Sequence, residues 1–396
     1  MRLFSFVAAI AALAAPCAFA QTWEDTLAEA RGQTVFWNAW GGDERTNAFI
    51  EWVGERTEAA YGVSIMQVKL TDTAEAVSRV IAEKAAGQTK GGSVDLIWIN
   101  GANFQSMKEQ GLLFGPFLSG LPNAAGLDLS PGAAAVTDFT IPTEGYESPW
   151  RLAKFVFQHD SARVAEPPRS MAALLDWALA NPGRFTHPSA ENFMGATFLK
   201  QALAELVADP SALALPATDE SYAATVAPLW DWYGKLRPAL WREGKEFPEN
   251  ASVLEQMLND GVVDMSMSFD PASAAASIEA GLLPDTVRTF TPQVGSIGNV
   301  SFVAIPFNAA NRAGAMVVAN ELLAPEVQAR AQDITVLGSF SVLDPATLSP
   351  EAAARFAELP TAPALPTLAE LGPTLAEPHP SWMTRIAEDW KARVAE

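Results

Sequence analysis

From residue 34 to residue 111 the chain alternates between stretches with a two-residue hydrophobic period and stretches with a helical one. Residues 34–40, TVFWNAW, read as a strand, with Gly41, Gly42 and Asp43 following as a turn and helix cap. Over 43–60, Phe49, Val53 and Ala60 share one helical face, and the pattern stops at Tyr61 and Gly62. Residues 63–70 form the next strand. Thr71 or Thr73 then caps a helix that carries Val77, Val80, Ile81 and Ala85 and stops at Gly87. VDLIWI (94–99), apolar but for Asp95, lies between Gly92 and Asn100 and reads as a strand buried on both faces of a parallel sheet. A short helix over 103–110 completes strand, helix, strand, helix, strand, which predicts a doubly wound α/β unit.

The alternation then restarts. Residues 149–158 read as one strand and 170–180 as a helix carrying Met171, Leu174, Leu175 and Leu179. GRFTHPSAENFMG (183–195) reads as a short strand entering a polar loop, followed by a helix over 196–208. Helices are expected near 226–236 and 252–259, a strand at 262–268, and a helix of small residues after Phe269, Asp270 and Pro271. A buried strand at 300–305 and helices at 313–323 and 325–332 come next. Residues 345–380 hold eight of the 28 prolines and should wrap the surface rather than build a core. A closing helix, 381–394, carries Trp382, Ile386 and Trp390 at a spacing of four. The expected fold class is therefore α/β, with two lobes, each a mixed sheet flanked by helices.

The N-terminus changes where such a protein is expected to work. One arginine precedes an apolar run from Leu3 to Ala15, and Ala18-Phe19-Ala20 has the small–x–small form of a signal-peptidase site. Residues 1–20 read as a cleaved secretory signal whose apolar centre is too short to span a bilayer. Pro16 stands where a small residue would precede a lipid-bearing Cys17, which argues against lipidation. Cleavage after Ala20 removes the single cysteine, and with it any disulfide, thiolate nucleophile or Cys-ligated metal. A net charge of −20 makes nucleic acid and anionic lipid poor partners.

In open α/β sheets ligands gather beyond the carboxyl ends of strands, so the strand-to-helix junctions supply the candidate residues. VFWNAWGGDE (35–44) offers Asn38 as a hydrogen-bonding group, Trp40 as a flat face and Gly41 as a place for close backbone approach. Alternation turns Trp37 to the face opposite Trp40, and the plain alternative makes both tryptophans core. WINGANF (98–104) contributes Asn100 and Asn103, either of which would serve equally as a helix cap. HPSAENFMG (187–195) contributes Ser189, Glu191 and Asn192, and SFDPAS (268–273) contributes Phe269 and Asp270. Asp270 is a counter-charge for a cation if it faces a cleft, and an N-cap before Pro271 if it does not. Twelve tryptophans against four tyrosines favour binding of a ring or a cation, although most of them must be core.

Catalysis has little support. The histidines, His159, His187 and His379, are scattered, and no zinc-protease, nucleophile-elbow, phosphate-loop or dinucleotide pattern surrounds them. No cofactor is expected. The competing enzyme reading is a secreted hydrolase using Glu191 and Asp270 as a carboxylate pair; a ligand-sensing domain for a membrane partner is a further alternative.

The order of these features resembles a type II periplasmic solute-binding protein of ABC importers. VFWNAWGGDE entering a helix, the strand VDLIWING, a crossover near 150–158 and a return at SIGNVSFVAIPFNAAN (296–311) carry the likeness. FVAIPFNAANRAGAMVVANELLAPEVQ (302–328) is similar to the strand and two helices that return to the first lobe in that family. Within it the chain looks like the YnjB-like branch, related to thiamine, polyamine and iron binders. The resemblance implies two lobes joined by a hinge, with residues 21–155 and 297–344 in one and 156–296 and 345–396 in the other. It implies a periplasmic monomer that traps a small solute, cationic or heteroaromatic, and works with a membrane permease and an ATPase. The paired tyrosines of the iron binders are missing, which puts a ferric ligand in doubt.

Overall fold

The computed structural model describes residues 22–131, 133–367 and 369–395, so the expected signal segment and Cys17 lie outside the described residues. A short leading helix, α1 (Trp23–Ala30), precedes β1 (Thr34–Trp40). Asp43 caps α2 (Glu44–Tyr61), accepting from the backbone N–H of Arg45 and Thr46, and Gly62 ends it in the left-handed region at φ +69°. The series continues as β2 (Ser64–Leu70), α3 (Ala74–Ala85), β3 (Leu96–Ile99) and α4 (Ala102–Glu109), close to the expected boundaries.

The run expected as one strand is two. β4 (Glu147–Lys154) and β5 (Val156–Asp160) meet at Phe155 and join different sheets, so the crossover between lobes falls inside that hydrophobic stretch. Beyond it stand α5 (Met171–Ala180), α6 (Phe193–Leu206), α7 (Asp219–Leu236), α8 (Ala251–Asn259), β6 (Met265–Ser268), α9 (Ser273–Glu279) and β7 (Val287–Phe290). β8 (Ser296–Ala304) returns to the first sheet and leads into α10 (Arg312–Leu322), α11 (Pro325–Gln332) and α12 (Pro350–Ala357). The chain closes with β9 (Thr374–Leu375) and α13 (Pro380–Ala395).

The first sheet runs in the order β2-β1-β3-β8, with β4 and β9 also on β8. β1 is parallel to β2 and β3, and β8 runs antiparallel to β3 and β4. The second sheet has β5 at its centre, antiparallel to β6 and β7. Each sheet has its own core. Trp37, Phe49, Trp150, Val303 and Val318 centre the first, and Phe157, Phe185, Phe198, Trp232 and Trp390 the second.

Three expectations need correction. Residues 183–192 form no strand; Phe185 and His187 are buried from irregular backbone, because their side chains close the core over α6. β7 and α1 were not expected from the pattern. The chain also does not leave the first lobe at 344: Leu348 and Phe356 pack on the first core, and only from Ala362 do side chains join the second.

Candidate functional site

The chain passes between the sheets at Phe155, at residues 291–295 and between Phe356 and Ala362, and the loop 334–343 after α11 bridges them. The last reaches both cores, with Ile334 and Phe340 packed in the second and Leu337 and Leu343 in the first. β8 pairs with one edge of β4; on the other, Leu152 N–H donates to Phe340 O (2.9 Å) and Lys154 N–H to Phe269 O (3.0 Å). Phe269-Asp270 and Ser339-Phe340 are thereby held against the crossing strand, and the Ser339 hydroxyl donates to Asp270 Oδ2.

Arg151 projects from this strand. Its guanidinium lies 4.8 Å from the centre of the Trp98 ring, at the end of β3, and 5.2 Å from that of Trp150. Trp150 is itself fixed edge-on to Trp37 (5.8 Å) and Trp98 (5.1 Å). Arg151 Nε is buried with no hydrogen-bond partner. Asp270, Asp43 and Arg45 all act on this group through space, which brings the N-terminus of α2 and the β6–α9 turn to the same place. Arg45 likewise has Nη1 buried without a partner, and its one ion pair, to Asp43, is long at 3.8 Å.

The carboxylates around these arginines are already engaged. Asp43 accepts from two backbone N–H groups of α2 and from Thr46 Oγ1 at 2.6 Å. Asp270 accepts from Ala272 N–H (3.1 Å) as well as from Ser339. Burial raises its pKa, and Arg151 pulls it back down. Glu255 on α8 accepts from Ser277 (2.9 Å), and burial raises it while Arg45 opposes the shift from the other lobe.

The sequence candidates divide sharply. Asn38 is fully buried, donating to Phe36 O and accepting from Arg79. Trp37 is core and Trp40 half-buried. A side chain at Gly41 would meet Lys69 Cβ at 2.6 Å, and one at Gly42 would collide with the Trp40 ring. The glycines are required by packing at this turn, whatever approaches it. Asn100 holds Asp138 Oδ1 (3.1 Å) and Val300 O (2.9 Å), while Asn103 sits half-buried in the first turn of α4.

Ser189 accepts from Glu191 N–H and Asn192 caps α6 through Met194 N–H (3.0 Å). Glu191 is an exposed surface residue paired with Lys391 at 2.6 Å, whereas Asp270 lies against β4 and is held by Ser339. Phe269 packs edge-on to Phe193 at 5.3 Å.

A second polar cluster lies nearby. Lys200 and Glu377 are buried and ion-paired at 2.6 Å, with Lys200 Nζ 4.5 Å from the Phe139 ring. Asp138 accepts from Gly101 N–H at 2.7 Å, and burial pushes its pKa up to about 7. His187 is buried between Pro188 O (2.7 Å) and Tyr233 Oη (3.0 Å) and is held down to about 4 by burial.

Among the described residues no group of three His, Cys, Asp or Glu is placed to hold a metal ion, and no helix is long and apolar enough to cross a membrane. A groove of about 510 Å³ runs between α2 and β2, lined by Glu51, Glu55, Met66 and Lys69; neither Arg45, Arg151 nor Asp270 borders it. The candidate residues that sequence reasoning did not single out are Arg45, Trp98, Arg151, Glu255 and Ser339. An arginine and a lysine, Arg151 and Lys154, inside the largely apolar stretch PWRLAKFVF were the signal available.

Known proteins agree with this architecture. Residues 51–364 match the family model described as bacterial extracellular solute-binding protein. Protein YnjB of Escherichia coli (strain K12) is 40% identical over 394 residues, 99% of each chain. A putative spermidine/putrescine ABC transporter structure from Listeria monocytogenes superposes with a TM-score of 0.62 at 15% identity, covering 91% of this chain and 98% of that one. The periplasmic binding protein AfuA of Actinobacillus pleuropneumoniae, with fructose-6-phosphate bound, gives 0.63 at 13% identity, covering 92% and 99%. The two sheets, the crossing strands between them and these likenesses agree: the chain belongs to the family of bacterial extracellular solute-binding proteins and has their two-lobe α/β fold.

Proposed function

We propose that the protein is the periplasmic capture component of an ABC importer, a monomer that traps one small solute between its lobes and presents it to a membrane permease coupled to an ATPase. The observation that carries this reading is the convergence of the α2 N-terminus, the end of β3, the crossing strand β4 and the β6–α9 turn on one place, with arginine donors left without partners. Closure would pivot about Phe155, residues 291–295 and the segment between Phe356 and Ala362, each short enough to absorb a rigid-body rotation.

The sequence favoured a cationic or heteroaromatic solute on the strength of tryptophan faces and Asp270. Trp40, Trp98, Phe193 and Phe269 supply such faces. The carboxylates, however, already accept hydrogen bonds from neighbours, and the arginines lack them. The site therefore supports a solute with an acidic group better than a purely cationic one.

The test is binding by the secreted, processed protein, followed by intrinsic fluorescence and calorimetry, across polyamines, thiamine, sugar phosphates, amino acids and carboxylates. Saturable, one-to-one binding with altered tryptophan emission is expected. A flat response to every class would sink the capture reading.

A further inference from the structure

We propose that Arg151, assisted by Arg45, is the clamp for an anionic head group, a carboxylate or a phosphate, on the solute this cleft takes; the proposal rests on the capture reading above. A guanidinium is a planar fork of N–H donors that cannot shed its charge, and burying it costs free energy unless its donors find acceptors. Arg151 is half-buried, its Nε has no acceptor, and no carboxylate of the described residues stands within ion-pair distance of it. Instead its flat face is supported by the Trp98 and Trp150 rings at 4.8 and 5.2 Å, which holds the fork in one orientation.

The protein could have neutralised this charge internally. Asp270 is held on the neighbouring turn by its own bonds to Ala272 N–H and Ser339, and Asp43 is fixed as the cap of α2. Arg45, two residues after that cap, also keeps a buried Nη1 unpaired. Two cations with unfilled donors therefore act on one another through space in a chain whose net charge is −20. A bidentate oxyanion between them would fill the free donors of both. It would also bridge β4 to the N-terminal turn of α2 while lying beside the second lobe's Asp270 and Glu255, which would select against a second negative charge at the far end of the solute.

The experiment is a thermal-shift series on the processed protein with sodium phosphate, sulfate and succinate at about 10 mM, each against sodium chloride of equal ionic strength, and with putrescine and choline as cationic counterparts. At least one oxyanion should raise the midpoint by about 2 °C or more. Arg151→Gln, which keeps a planar donor head without the charge, should weaken that anion at least tenfold, and Arg45→Gln should weaken it less. Arg355→Gln, in an exposed pair with Glu351 on α12, should leave it unchanged. Phosphate acting without succinate would identify a phosphate head, and the reverse a carboxylate. Stabilisation by putrescine or choline with none from the anions would overturn the clamp and leave solute capture standing. An anion effect that persists in both Arg151→Gln and Arg45→Gln, or no anion effect at all, would equally overturn it.

Discussion

Replacing Lys200 by Met removes the cation from a buried ion pair and leaves its partner behind. Lys200 is fully buried and Glu377 is 2% exposed, with 2.6 Å between Nζ and Oε2. The remaining donor to Glu377 is Asn299 Nδ2 at 3.4 Å, too long to compensate. Removing one partner of such a pair costs about 3–5 kcal/mol, because the stranded charge must be solvated poorly or neutralised. Lys200→Met should cost that much, while Lys200→Met with Glu377→Gln should cost markedly less than the two singles summed, a coupling of about 2 kcal/mol. The pH dependence supplies a second check. Burial already raises the Glu377 pKa and Lys200 opposes the rise. Without the lysine the folded pKa climbs further above the unfolded value of about 4.3, so the folded state holds the proton more tightly than the unfolded chain. The penalty should therefore be small near pH 4.5 and full near pH 8. Urea unfolding at both pH values, read by circular dichroism and tryptophan fluorescence, measures it. Additive single costs below about 1 kcal/mol, or a cost independent of pH, would refute the assignment of this pair as a buried, mutually dependent unit.

Two other expectations follow from the same geometry. His187 sits at about 4 because burial disfavours its charged form, below an unfolded value of about 6.5; its contribution is complete above pH 6.5 and is lost as the pH falls toward 4, about 3 kcal/mol in all. Its ring resonances in an NMR titration should show no protonation between pH 7 and about 5, with Nδ1–H donating to Pro188 O and Nε2 accepting from Tyr233. Glu191→Gln should change stability by less than about 0.5 kcal/mol and leave ligand response intact, since its pair with Lys391 is exposed on both sides; loss of that response in calorimetry would return Glu191 to the site.

The fold was legible where one element satisfies one local rule. α2 has an Asp cap, an apolar stripe and a terminal glycine, and it lies within a residue of its expected span. β3 showed as an unbroken apolar run because helices cover both of its faces. Elements whose identity depends on distant partners were not legible. Nothing local divides 149–158 at Phe155, since both halves are buried and only the partner strands, β8 on one side and β6 and β7 on the other, assign them to different sheets. The segment 183–192 has none of a strand's pairing, because Phe185 and His187 are held by side-chain packing around Phe198. β7 escaped notice because it is four residues long, with only Val287 and Phe290 buried.

The candidate site was suggested by the sequence as a place and not as a set of residues. The rule that ligands gather beyond strand ends points to the turns after β1, β3 and β6; Arg45, Trp98 of β3 and Asp270 lie around Arg151 on β4. It then overvalued polar side chains on those turns, because a turn has its own need for polar groups. Asn192 and Asp43 satisfy helix N–H groups, Asn100 holds a buried aspartate, and Gly41 and Gly42 make room for Lys69 and Trp40. What distinguishes a group available to a ligand is the absence of an internal partner, and sequence spacing does not report absence. Arg151 illustrates the point: flanked by Trp150 and Leu152 in a buried strand, it breaks the apolar pattern, and the acid four residues before it, Glu147, makes no hydrogen bond to it. A charge that the pattern does not explain, in a strand that crosses between lobes, is better evidence for a binding group than a polar residue in a turn that would need one anyway.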